Sequence, residues 1–151
     1  MDRQAARSSG PRRSVQLGHA EALRLLGSIS LGRIVFTLHA LPTIRPVNHF
    51  LDHGNIIIHA GKGSALSTHA EADDGRGVVV AYEADTIDLR THLGWSVIAT
   101  GYAHLITSRN ELDRYRQLIH PWVDQTMDYV IRIHPEKLTG IRLICPSSVS
   151  A

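Results

Sequence analysis

A mainly β domain is what this sequence predicts: six or seven antiparallel strands closed into a small barrel, with two or three short helices as plugs. Two observations carry that expectation. Runs rich in β-branched and aromatic residues recur at 31–38, 56–59, 78–84, 94–105, 129–134 and 139–144, most of them joined by short connections with Gly, Asn, Asp or Pro. Apolar residues at helical spacing are confined to short stretches. Strands of this number and length remove their exposed edges by closing on one another.

The elements follow in order. Leu17, Ala20, Leu23 and Leu26 recur every three residues opposite Glu21 and Arg24, which predicts an amphipathic helix across one end of the sheet. Leu31 to Leu38 is nearly continuous in apolar character, hence a strand buried on both faces. Leu41-Pro42-Thr43 is expected to turn the chain into a strand from Ile44, which a tight turn at Asp52-His53-Gly54-Asn55 joins to a second, Ile56 to His59. A glycine loop, Gly61-Lys62-Gly63, leads to a helix opening at Ser64. Val78 to Ala84 and Gly94 to Leu105 read as strands, with Gly101 placed for a bend or bulge. A helix from Arg109 to Ile119 ends before Pro121. Two strands, 129–134 and 139–144, close the chain about a turn at Pro135-Glu136-Lys137.

At 151 residues and 43% hydrophobic, the chain suits one domain, placed at 15–146 between disordered tails at 1–14 and 147–151. Net charge is +2, but four arginines against one aspartate put +3 within the first thirteen residues and leave the remainder at −1. A duplex-binding protein needs a basic face on its folded body, so nucleic acid is not an expected partner. No stretch of 18 apolar residues and no signal-peptide core occur, which places the protein in the cytoplasm with no membrane partner. The single cysteine, Cys145, excludes an internal disulfide.

Three stretches are candidate binding residues. Gly63 and Ser64 let backbone approach an anion at a helix N-terminus, and Lys62 adds a full charge, so a phosphate would suit this loop. An ordinary strand-to-helix turn capped by Ser64 fits the same residues. In Arg45-Pro46-Val47-Asn48, a proline that cannot donate to a ladder marks an edge, a bulge or room for a heterocycle, with a rim kink as the alternative. Trp95 and Trp122 stand where rims would lie, either near a planar ligand or packed in the core. Ten histidines invite a metal, yet His49 and His53 fall on a strand and its turn, where a spacing of four makes no shared face, and no metal site is expected. No nucleophile elbow is present.

These residues together carry a likeness. LGRIVF from Leu31, IRPVNHFLDHGNIIIHAGKGSAL from Ile44, VVVAYEADTID from Val78, GWSVIATGYA from Gly94, HPWV from His120 and TGIRLI from Thr139 resemble the pyridoxamine 5′-phosphate oxidase-like FMN-binding split β-barrel family, particularly its short actinobacterial branch near the nitroimidazole-reductase-like members. The resemblance implies a split β-barrel of about six strands and a homodimer with FMN at the subunit interface. It implies Arg45, Pro46, Val47 and Asn48 along the ring, His59, Lys62, Gly63, Ser64 and Leu66 near the ribityl phosphate, and Trp95 approaching from its strand. Many relatives read Gly-Ser-Lys-Leu where this chain has Gly63-Ser64-Ala65-Leu66, so the pairing lysine is missing and Lys62 is the cation in its place. A basic carboxy-terminal segment for pyridoxamine phosphate is lacking, and that activity is not expected. The implied function is an FMN-dependent oxidoreductase passing hydride from a reduced donor to a small conjugated or electron-poor acceptor. The alternatives are an F420 (deazaflavin)-dependent reductase, for whose anionic tail Arg33, Arg45 and Lys62 are candidates, and a non-catalytic flavin- or haem-binding module.

Overall fold

The computed structural model describes residues 10–61, 64–72, 75–118 and 129–146. Its elements are β1 (Arg13–Gln16), α1 (His19–Gly27), β2 (Leu31–Leu38), β3 (Leu41–Asp52), β4 (Asn55–Ala60), α2 (Ala65–Ala72), β5 (Val78–Ile87), β6 (Gly94–Leu105), α3 (Arg109–Leu118) and β7 (Tyr129–Ile144). All pairings are antiparallel, in the order β1-β7-β4-β3-β2-β5-β6, and a further β6–β7 pairing closes the barrel. The fold is the expected mainly β barrel.

Alternation along each strand decides which side chains fill it. Ile34 and Phe36, Ile56 and Ile58, Val80 and Tyr82, Val97 and Ala99, and Ile131 and Ile133 point inward, and Leu25 and Leu26 of α1 plug one end. A second cluster lies on the outer face of the sheet, where Ile57, Val130, Ile106 and Tyr115 pack with Phe50 and Leu112 under α3. That helix is tied down by polar contacts as well. The Tyr115 hydroxyl and the Arg114 guanidinium both donate to the Asp52 carboxylate, and Arg132 pairs with Glu111 at 3.1 Å.

β2 is buried on one face and not on both, since Leu31, Arg33 and Thr37 are exposed, and the chain departs from the sequence expectations at three further places. Leu41, Pro42 and Thr43 belong to β3, and the turn falls instead at His39 and Ala40, whose φ angles of 50° and 64° let a two-residue hairpin form without glycine. Pro135-Glu136-Lys137 makes no turn: β7 runs through it, with a bulge where Gly101 faces Pro135 and Thr100 faces Lys137. A methyl group on Gly101 would lie 1.9 Å from the His134 carbonyl, which is why this bulge needs glycine. Arg13 and Ser14, inside the expected tail, pair with Ile144 and Leu143. His120, Pro121 and Trp122 lie outside the described residues.

Candidate functional site

The register brings the interesting polar groups into one row on the outer face. Leu31 of β2 pairs with Asn48 of β3, and one step beyond the His49–Ile58 pair places His59 of β4 opposite Asn48. Asn48 Oδ1 and both ring nitrogens of His59 are shut away from water, and none has a hydrogen-bond partner among the described residues. A buried polar atom without a partner costs about 1–3 kcal/mol, and here three are gathered on neighbouring strands. Burial, followed by the Arg116 charge, holds the His59 pKa below its ordinary value, so the ring is neutral and offers one donor and one acceptor.

The other predicted residues scatter about this pair. Pro46 is exposed and pairs with Arg33 on a length of β3 that β4 does not reach, in agreement with the edge reading. Arg45 is exposed and donates to the Ile44 carbonyl at 2.9 Å, while Val47 packs against the interior core. Ser64 accepts from the Ser67 N–H at 3.1 Å and donates to the Ser67 hydroxyl at 2.9 Å, so its hydroxyl is occupied in capping α2. Leu66 and Trp95 are buried in the interior core, with Trp95 on the opposite side of the sheet from Asn48 and His59. Lys62 and Gly63 lie outside the described residues.

His49 and His59 do not meet, because the register pairs His49 with Ile58, and His59, next along β4, points to the opposite face. The His49 ring turns inward, where Nε2–H donates to the Leu26 carbonyl at 2.8 Å and Nδ1 accepts from the Tyr82 hydroxyl. No cluster of three metal-ligating side chains occurs among the described residues.

Sequence reasoning missed one feature. Between the end of α1 and the sheet lies a cleft of about 650 Å³, bounded by the chain from Gly27 to Leu31 together with Arg33, Phe50 and Asp85. Arg33 Nη1 stands 3.4 Å from Glu83 Oε2 and 3.8 Å from Asp85 Oδ2. Desolvation, then the hydrogen bond and charge of Asp85, push the Glu83 carboxyl up to about 7 against the opposing pull of Arg33. The Glu-x-Asp spacing, which puts both carboxylates on one strand face, was the available signal.

A closed antiparallel barrel with one helix over its outer face and an orphaned polar pair beside a cleft defines the class, a ligand-binding split barrel. The family model described as pyridoxamine 5′-phosphate oxidase matches residues 18–142, and the chain belongs to that family. An uncharacterised protein of Mycobacterium tuberculosis is 46% identical over 136 residues, 90% of each chain. The structure of the FAD binding protein from Mycobacterium smegmatis has a TM-score of 0.67 at 27% identity, covering 86% of this chain and 100% of that one. A FAD-binding protein from Mesorhizobium loti has a TM-score of 0.70 at 15% identity, over 89% and 99% of the two chains, which speaks for the fold alone. No helix among the described residues is long and apolar enough to cross a membrane.

Proposed function

We propose that this protein binds a flavin, FMN, on the outer face of β3 and β4, and that a homodimer holding it passes hydride from a reduced donor to a small conjugated or electron-poor acceptor. One observation carries the reading: Asn48 and His59 present three buried polar atoms with no partner among the described residues. A heterocycle with donors and acceptors on its rim suits them, because Asn48 and neutral His59 can each give and take a hydrogen bond. Pro46, with no N–H to offer a further strand, keeps the neighbouring edge free for it. The flavin supplies the hydride chemistry, and these residues orient it and withhold water from its rim.

The outer faces of β5, β6 and β7 leave Val79, Ile98, Tyr102 and Ile141 at 63%, 44%, 41% and 37% exposure, an apolar surface in keeping with a second copy against the barrel. FAD is a second reading, favoured by the Mycobacterium smegmatis structure named for binding it. F420 fits less well, since Arg33, a candidate for its anionic tail, faces two carboxylates.

Asn48→Leu and His59→Leu test the site. Each removes a buried unpartnered group, so each is expected to leave the flavin-free protein as stable as the wild type or about 1 kcal/mol more stable. Each should also weaken FMN or FAD binding at least tenfold by fluorescence titration. Loss of stability in both variants with flavin affinity unchanged returns the pair to ordinary packing.

A further inference from the structure

The cleft under α1 has the features of a binding site in its own right. Its walls are apolar at Ile29, Leu31 and Phe50, Arg33 and Asp85 border one side, and Glu83 stands behind them within reach of Arg33. We propose that this cleft binds a flat organic cation, an amidinium or a ring-borne ammonium, with its positive end at Asp85 and Glu83 and its ring against the apolar walls.

The charge count gives the direction. Arg33 is the one cation acting on Glu83, and it serves two carboxylates at once, at distances longer than a close ion pair. The elements around them add no positive charge: β6 presents Ile98 opposite Glu83 and Ser96 opposite Asp85, the α1–β2 connection presents Ser28 and Ser30, and His49 of β3, which also borders the cleft, is kept neutral by burial with its ring engaged by Leu26 and Tyr82. The α1 C-terminus beside the cleft carries the negative end of its helix dipole. Two carboxylates face one guanidinium, so burial and the neighbouring Asp85 hold the Glu83 carboxyl up at about 7, and a ligand cation would take the place of its proton. An anion meets the same groups with the wrong sign, so a phosphate or carboxylate is excluded from this cleft.

The cation's binding stands on the cleft alone and does not need the flavin reading. Leu31 links the two places, since it borders the cleft and pairs with Asn48. If the flavin rim engages Asn48, a ring in the cleft lies one strand away from it.

Calorimetric titration of the full-length, flavin-free protein with benzamidinium chloride, benzamide and sodium benzoate tests the inference. Benzamidinium is expected to bind about tenfold more tightly at pH 8 than at pH 6, because a carboxyl titrating near 7 is mostly ionised at the first and mostly protonated at the second. Proton release on binding should appear as a dependence of the heat on the buffer. Benzamide and benzoate should not bind. Glu83→Gln and Asp85→Asn should each abolish the pH dependence and weaken binding, and Arg33→Gln, which removes the competing cation, should strengthen it. Benzamide binding as well as benzamidinium, or benzamidinium binding that ignores all three substitutions, overturns the proposal. Titration of the wild-type protein with both ligands keeps the two readings apart: FMN bound without benzamidinium refutes the cation site alone, and benzamidinium bound without FMN or FAD refutes the flavin site alone.

Discussion

Removing one hydroxyl from the barrel interior gives the sharpest test of how this fold is held. Tyr82 is fully buried on β5, and its hydroxyl donates to His49 Nδ1, leaving Nε2–H to bond the Leu26 carbonyl at the end of α1. That carbonyl is among the last four of the helix, which have no partner within it. In Tyr82→Phe the imidazole must either leave Nδ1 without a donor or move its proton to Nδ1 and abandon Leu26. One buried polar atom is orphaned in either case, so the expected loss is about 1–3 kcal/mol, or about 2–12 °C in Tm for a chain of this size. The same pair predicts a pH dependence. Burial lowers the His49 pKa below its ordinary 6.5, so the unfolded chain binds the proton more readily than the folded one. The stability that neutral His49 contributes is therefore complete above pH 6.5 and is lost as pH falls from there through the folded pKa. Urea unfolding at pH 8 and pH 5, with imidazole NMR to read the tautomer, checks both. A Tyr82→Phe variant within about 0.5 kcal/mol of the wild type, or His49 protonated at pH 7, refutes the reasoning.

Two further substitutions separate local geometry from ligand binding. Gly101→Ala places a methyl group 1.9 Å from the His134 carbonyl, so it should cost about 3 kcal/mol or more, or yield insoluble protein, whereas Gly18→Ala, whose methyl meets nothing within 4 Å, should leave thermal unfolding unchanged. Ser64→Ala removes the cap of α2 and should cost about 1 kcal/mol, yet change flavin affinity less than twofold, because its hydroxyl is already engaged with Ser67. A large loss of flavin affinity in Ser64→Ala returns that hydroxyl to the phosphate.

Much of the architecture could be read along the chain. The alternation in Val78 to Ala84 and Gly94 to Leu105 announces strands because each side chain reports its own face, and Gly101 announces the bulge because no other residue fits against its partner strand. The misreadings share one physical cause. Pro135 and Pro42 look like breaks because proline cannot donate, but in an antiparallel ladder a residue whose N–H points away from its neighbour has nothing to give up. Edges and bulges are properties of the sheet, and local sequence does not say where they fall.

The candidate site divides along the same line. Asn48 was named from the chain, two residues after a proline that disturbs its strand, and His59 by the family resemblance. Their meeting depends on the register of β3 against β4, as does the separation of His49 from His59. Arg33, Glu83 and Asp85 come together only because β2 and β5, 50 residues apart, lie side by side.

By itself, then, the sequence determined the kind of protein: a β barrel, its family, and the stretch from Ile44 to Ala72 around which a ligand would be sought. Tertiary structure alone decided which polar atoms are stranded without water and which charges stand against one another. Strand identity is written in neighbouring residues, whereas burial and charge balance are set by groups distant in sequence that only closure of the barrel brings within a few ångströms.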